Sequence, residues 1–280
     1  MAIVTFWNGT REQCGNTASS LALATQMSIE RNMKILLIST SLNDYSFKDS
    51  FWYEKKKKMS GIFGPNTSFV VQKGVEGLDR IIRSNKITPE IITDYTKIVL
   101  KDRLELLLGV EGSQAQYEEI KQRYPQIILL ADKYYDLVIV DLATSLETTV
   151  QDEILKNSDT IVAMIPQKIK EIQNILEKIK KGVYVRKDNS ILTIGKYNEK
   201  TKYNAKNISR NILMQKEIIN TIPYNTLFFE AMQEGKLIDL FLNFLRLKDT
   251  DENYKFVSEI KRLSESVKEK IRISPRRRGT

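Results

Sequence analysis

The chain has 280 residues, 41% hydrophobic and 28% charged, which is ordinary for a folded globular protein and enough for one large α/β domain or two small ones. A single cysteine, Cys14, excludes an internal disulfide framework and fits a reducing, cytoplasmic setting, while the lack of any histidine removes His-based acid–base chemistry, Ser-His-Asp triads and most zinc sites. No run of 18 apolar residues exists, so no membrane span is expected, and no basic region followed by an apolar one opens the chain, so no secretory leader is expected.

From the N-terminus, the apolar run of residues 2–6 stops at a polar loop, within "TFWNGTREQCGNT" at residues 5–17, and a helix is predicted over residues 18–31. Strand, loop, Gly-x-Thr and helix outline a phosphate-binding loop, yet Asn16 stands where such a loop carries lysine. The stretch therefore reads as a nucleotide site, a relic of one, or an ordinary turn. Continuous apolar runs at 3–6, 34–38, 69–71, 104–108, 137–141, 160–165 and 190–194 read as strands covered on both faces, as in a parallel sheet. Residues 53–68, with a lysine run and Gly61, Gly64 and Pro65, read as an excursion from the fold. A helix over 169–180 places Ile172, Leu176 and Ile179 on one stripe, and Phe256, Ile260, Leu263, Val267 and Ile271 mark a C-terminal helix. Alternating strands and helices predict an α/β fold, a doubly wound and mostly parallel sheet with helices on both faces. We expect one domain over residues 1–272 and a basic, disordered tail over 273–280.

Charge is unevenly placed. Residues 165–216 hold 13 Lys/Arg against four Asp/Glu, which accounts for the whole net charge of +9. Such a face can attract nonspecific DNA or anionic lipid, or it can be a solvated, lysine-rich surface, and the lysine-rich composition favours the solvated reading. Cys14 beside a helix N-terminus reads either as an activated thiol or, preferably, as a small side chain at a variable position. Trp7 and Trp52 read as packing residues.

Five segments in order resemble the ParA/MinD group of P-loop ATPases. In "TREQCGNTASSLALA", Gly15 and Thr17 match the family's phosphate loop, Arg11 falls at its extra signature lysine, Glu12 and Gln13 fall at two glycines, and Asn16 replaces the loop lysine. "NMKILLIST" resembles the second strand, with Ser39, Thr40 and Ser41 in place of an Asp-x-Asp pair whose second acid helps position the attacking water. "YYDLVIVDLATSLET" resembles the Walker B strand, with Asp141 at the metal-proximal position. "NSDTIVAMIPQKIKEIQNILEKI" resembles the strand and loop that reach the base, Pro166 included. "IINTIPYNTLFFEAMQEGKLIDLF" resembles the Ile-Pro loop, with Pro223, and the helix after it. An asparagine that often reads adenine after the seventh strand is replaced by Gly195.

The resemblance implies binding of ATP or ADP by Arg11, Cys14, Gly15, Asn16, Thr17, Ala18, Asp141, Pro166 and Pro223, with Mg²⁺ held by Thr17 and Asp141. It implies no confident catalytic residue and a very slow ATPase or none, because transfer of a phosphoryl group needs charge neutralisation and a positioned water. Arg11 is the candidate substitute for the lost cation, and Asp44 a poor stand-in for the lost acid. The group contains spatial organisers, so the implied role is a cytoplasmic, homodimeric localisation or scaffold protein. Its partners would be protein components of a pilus, secretion or partition system, as in the TadZ/CpaE pilus-positioning branch. The alternative is a DNA-partition ATPase that holds nonspecific DNA through residues 168–216. An enzyme that amidates or reduces a small molecule on the same fold has less support.

Overall fold

A computed structural model describes residues 1–10, 12–52, 74–84, 88–181, 185–186, 188–212 and 219–274. Eight strands form one sheet: β1 (Ala2–Asn8), β2 (Ile35–Ser39), β3 (Lys97–Leu100), β4 (Leu104–Leu107), β5 (Leu137–Asp141), β6 (Thr160–Ile165), β7 (Ser190–Tyr197) and β8 (Ile219–Pro223). The helices are α1 (Asn16–Glu30), α2 (Ser46–Phe51), α3 (Val75–Arg83), α4 (Gln114–Ile120), α5 (Tyr124–Asp132), α6 (Thr148–Lys156), α7 (Ile169–Lys181), α8 (Ala205–Asn211), α9 (Thr226–Glu234), α10 (Leu237–Phe244) and α11 (Tyr254–Ile273).

The strand order is β3-β4-β2-β5-β1-β6-β7-β8, parallel except for the β3–β4 pair at one edge. Successive side chains of a strand face opposite ways, and β1 divides accordingly. Ile3 and Trp7 enter one core with residues of α3 to α8, whereas Ala2, Val4 and Phe6 enter the other with residues of α1, α2, α9, α10 and α11. This is the expected doubly wound sheet, and burial on both faces explains why its strands read as unbroken apolar runs.

Two differences from the sequence reading stand out, and some readings fall on residues that are not described. Strand β3 was not expected, because it is a short edge strand with Ile98 60% exposed, and so it lacks the buried run that marks the others. Helix α1 is buried from Ser19 to Ser28 rather than along one stripe, since α10 and α11 cover the side turned away from the sheet. The run at 69–71, the excursion at 53–68 and nearly all of the basic tail lie outside the described residues.

Chain direction reverses beside β1. Strand β1 leads to β2 on one side of the sheet, and β6 to β8 continue on the other. In open α/β sheets the carboxyl ends of strands at such a reversal form a crevice. Here that crevice holds the loop after β1. Asp141 ends β5 directly alongside Phe6, in register.

Candidate functional site

The loop between β1 and α1 is built by its own polar residues. The Asn8 amide donates to the Glu12 carbonyl (2.7 Å), while Asn8 Oδ1 accepts from the Thr10 amide and hydroxyl (both 3.0 Å). Helix α7 braces the loop from outside. Lys178 Nζ donates to the Gly9 carbonyl (2.7 Å), and Lys168 pairs with Glu12 (2.7 Å). The Glu12 carboxylate, expected to repel phosphate, is therefore held by a cation. Arg11 lies outside the described residues.

At the helix start, Gly15 is left-handed (φ 80°, ψ 33°), a conformation that suits glycine. No side chain caps α1 and its first turn carries no acid, so its N-terminal N–H groups and the positive end of its dipole remain available to an anion. Asn16 and Thr17 both turn to Asp141. Asn16 Nδ2 donates to Asp141 Oδ1 in a short contact and to the Phe6 carbonyl (3.2 Å), and Thr17 Oγ1 donates to Asp141 Oδ2 (2.7 Å). Asn16 Oδ1 is buried without a partner. Burial pushes the Asp141 carboxyl up to about 6, helped by the nearby negative charge of Asp44 and opposed by the Thr17 and Asn16 hydrogen bonds. Asp44 thus reaches the site electrostatically, although its own Oδ1 accepts from the Ser46 amide (2.9 Å).

Ser39, Thr40 and Ser41 bring no carboxylate. Thr40 instead ties β2 to β5, donating its hydroxyl to the Asp141 carbonyl (3.0 Å) and accepting from the Ala143 amide (2.8 Å). Cys14 is buried, and desolvation raises its thiol to about 12, so it is a packing thiol and not a nucleophile at neutral pH. The Gly195 replacement now has a steric reason: a Cβ there would lie 1.9 Å from the Cys14 carbonyl oxygen.

Beside the loop opens a small apolar cavity of about 80 Å³, lined by Gly15, Ala18, Lys196, Pro223, Tyr224 and Phe229 among others. Of the expected site residues, Gly15, Asn16, Thr17 and Asp141 meet at the helix start. Gly15, Ala18 and Pro223 share the cavity. Pro166 is buried past the end of β6 and does not line it. Lys168, Lys178 and Lys196 were not read as site residues. The one local signal was a lysine directly after Gly195 at the end of a strand.

No protein-family model and no curated protein matches the sequence. Solved structures do match. A ParA family ATPase from Chlorobium tepidum TLS is similar at 15% identity, with a TM-score of 0.66, over 94% of this chain and 98% of that one. A putative plasmid partition protein from Borrelia burgdorferi B31, bound to AMPPNP, is similar at 20% identity and a TM-score of 0.62, over 96% and 99%. The septum site-determining protein MinD from Pyrococcus horikoshii OT3, complexed with Mg-ADP, is similar at 11% identity and a TM-score of 0.58, over 95% of each chain. The chain has the fold of the ParA and MinD ATPases. Among the described residues, no helix is long and apolar enough to cross a membrane.

Proposed function

We propose that this protein is a ParA/MinD-like localisation or scaffold protein that binds ATP or ADP weakly and hydrolyses it little or not at all. It acts as a cytoplasmic homodimer and positions a pilus or secretion machine. The observation that carries the reading is the contact of Asn16 and Thr17 with Asp141 beneath an uncapped helix start. The anion-binding part of a phosphate loop is backbone and helix dipole, and both are present. The parts that drive hydrolysis are side chains, and two are replaced: the loop lysine by Asn16 and the water-positioning acid by the serines and threonine at 39–41.

The residues present fit a magnesium nucleotide. Thr17 Oγ1 and Asp141 are hard oxygen donors of the kind that share Mg²⁺ with phosphate oxygens, and the unpartnered Asn16 Oδ1 marks a polar site not fully satisfied by the protein alone. Mg²⁺, when bound, neutralises phosphate charge. Gly15 to Ala18 would hold the phosphates through backbone N–H groups, and the apolar cavity by Pro223 would receive the base.

The partition reading rests on the basic residues of the stretch 168–216. Two of these, Lys168 and Lys178, are already engaged with the loop, which favours the scaffold reading.

Isothermal titration with ATP and Mg²⁺ tests nucleotide binding; no heat at high micromolar protein would refute it. Asn16→Lys should tighten ATP binding. Phosphate release should stay near background, and turnover of roughly 1 per second or more would overturn the scaffold reading in favour of a working ATPase.

A further inference from the structure

This inference rests on the nucleotide reading and deepens it. Among the described residues of the loop at 8–17, Glu12 and buried Cys14 are the ionisable ones, and neither supplies a cation to a phosphate. A cation reaches the loop from another strand. Near its end β7 departs from register with β8 between Ile194 and Tyr197. Gly195 there lies flat against the Cys14 carbonyl, and the next residue, Lys196, takes a φ of 49°. Side-chain-bearing residues rarely adopt that region, and a non-glycine residue held in it at a site deserves a functional explanation. Bulge-like irregularities at strand ends re-aim side chains, and this one turns Lys196 back over the loop. A Cβ placed on Gly15 would lie 3.5 Å from Lys196 Cγ and 3.8 Å from its Cε.

The lysine stem thus crosses the face of Gly15, with the ammonium one bond beyond. The charge is felt at Cys14, where it opposes the rise caused by burial. Among the described residues no carboxylate pairs with Lys196. The same side chain lines the apolar cavity, so it lies between the Gly15 turn and that cavity.

We infer that Lys196 is a phosphate-positioning cation of this site, supplying from β7 charge that Asn16 does not. Its ligand class is a nucleoside di- or triphosphate, gripped through the phosphate oxygens by charge-assisted hydrogen bonds.

The test is calorimetric titration of the full chain with adenosine, AMP, ADP and ATP. Lys196→Met keeps the stem and removes the charge. It should weaken ATP and ADP by about tenfold or more and leave adenosine unchanged, while Lys196→Arg should retain most of the affinity. Lys196→Gly relieves the left-handed strain, so it should melt at or above the wild-type temperature and still lose ATP affinity. ATP binding undiminished in Lys196→Met would overturn the inference and leave the nucleotide reading standing. So would equal weakening of adenosine and ATP, which would assign Lys196 to packing. A wild type that binds no ATP would overturn both.

Discussion

Asp141 is an acid kept in a place that disfavours its charge. Two hydrogen bonds reach it, but burial and the charge of Asp44 outweigh them and lift its carboxyl from 3.8 to about 6. Folding therefore favours the protonated form. The associated stability is fully present below about pH 4 and is lost as pH rises through about 6. At neutral pH the penalty is on the order of 3 kcal/mol. Asp141→Asn should remove it, because the new amide can keep its oxygen toward Asn16 Nδ2 and turn its NH2 toward the Thr17 hydroxyl, which can also accept. We expect the ligand-free variant to melt a few degrees above wild type at pH 7, with the gap closing by pH 4.5. A variant that melts lower at pH 7 would mean that the ionised carboxylate stabilises the loop. At this scale the sequence singled out residues that the fold brings together, as for Gly15, Thr17 and Asp141. It was silent on Lys196, whose role depends on a register shift between β7 and β8 that no local pattern encodes.

At the scale of the element, α7 has a dual character. Its stripe of Ile172, Leu176 and Ile179 was legible as a helix, although Ile175 is buried beside Ile172 while Leu176 and Ile179 are partly buried, and its lysines were legible as charge. What they contact was not legible, because the Gly9 carbonyl and Glu12 lie more than 150 residues away in the chain. With Lys168 and Lys178 holding the loop, Lys170, Lys180 and Lys181 are the cations of α7 left for a phosphate backbone. Few phosphate contacts mean weak, steeply salt-dependent binding. We expect the wild type to retain no duplex DNA at about 150 mM salt in a gel-shift assay. Retention that disappears in a folded Lys180→Glu, Lys181→Glu variant would instead favour the partition reading. Lys178 is left intact in that test so that the loop keeps its brace. Strand β3 makes the complementary point: a four-residue edge strand carries too little apolar signal to be seen, although β4 beside it was plain.

For the whole molecule, the doubly wound sheet was legible because almost every strand is buried on both faces and reads as a solid apolar run. Strand β8 was reached through its likeness to a family loop, its Asn220 and Thr221 having broken the run. The topology also assembles the site from remote pieces. Asn16 and Asp141 are 125 residues apart, and the Ile3 amide donates to Asp159 across 156. That separation sets an order in time. On the ribosome β1 and α1 are made well before both neighbours of β1, strands β5 and β6, which follow more than a hundred residues later. Until then the nascent chain exposes an apolar strand with two unpaired edges and a helix that the finished fold buries on nearly every side, which is a natural substrate for a holding chaperone. Long-range pairing of this kind also makes refolding slow. A chain cut after Asp136 should therefore show no cooperative melt and should bind a hydrophobic dye, and a cooperative transition in that fragment would mean that the N-terminal half folds alone. The loop that would grip a nucleotide is synthesised long before the strands that flank it and is among the last parts to take shape.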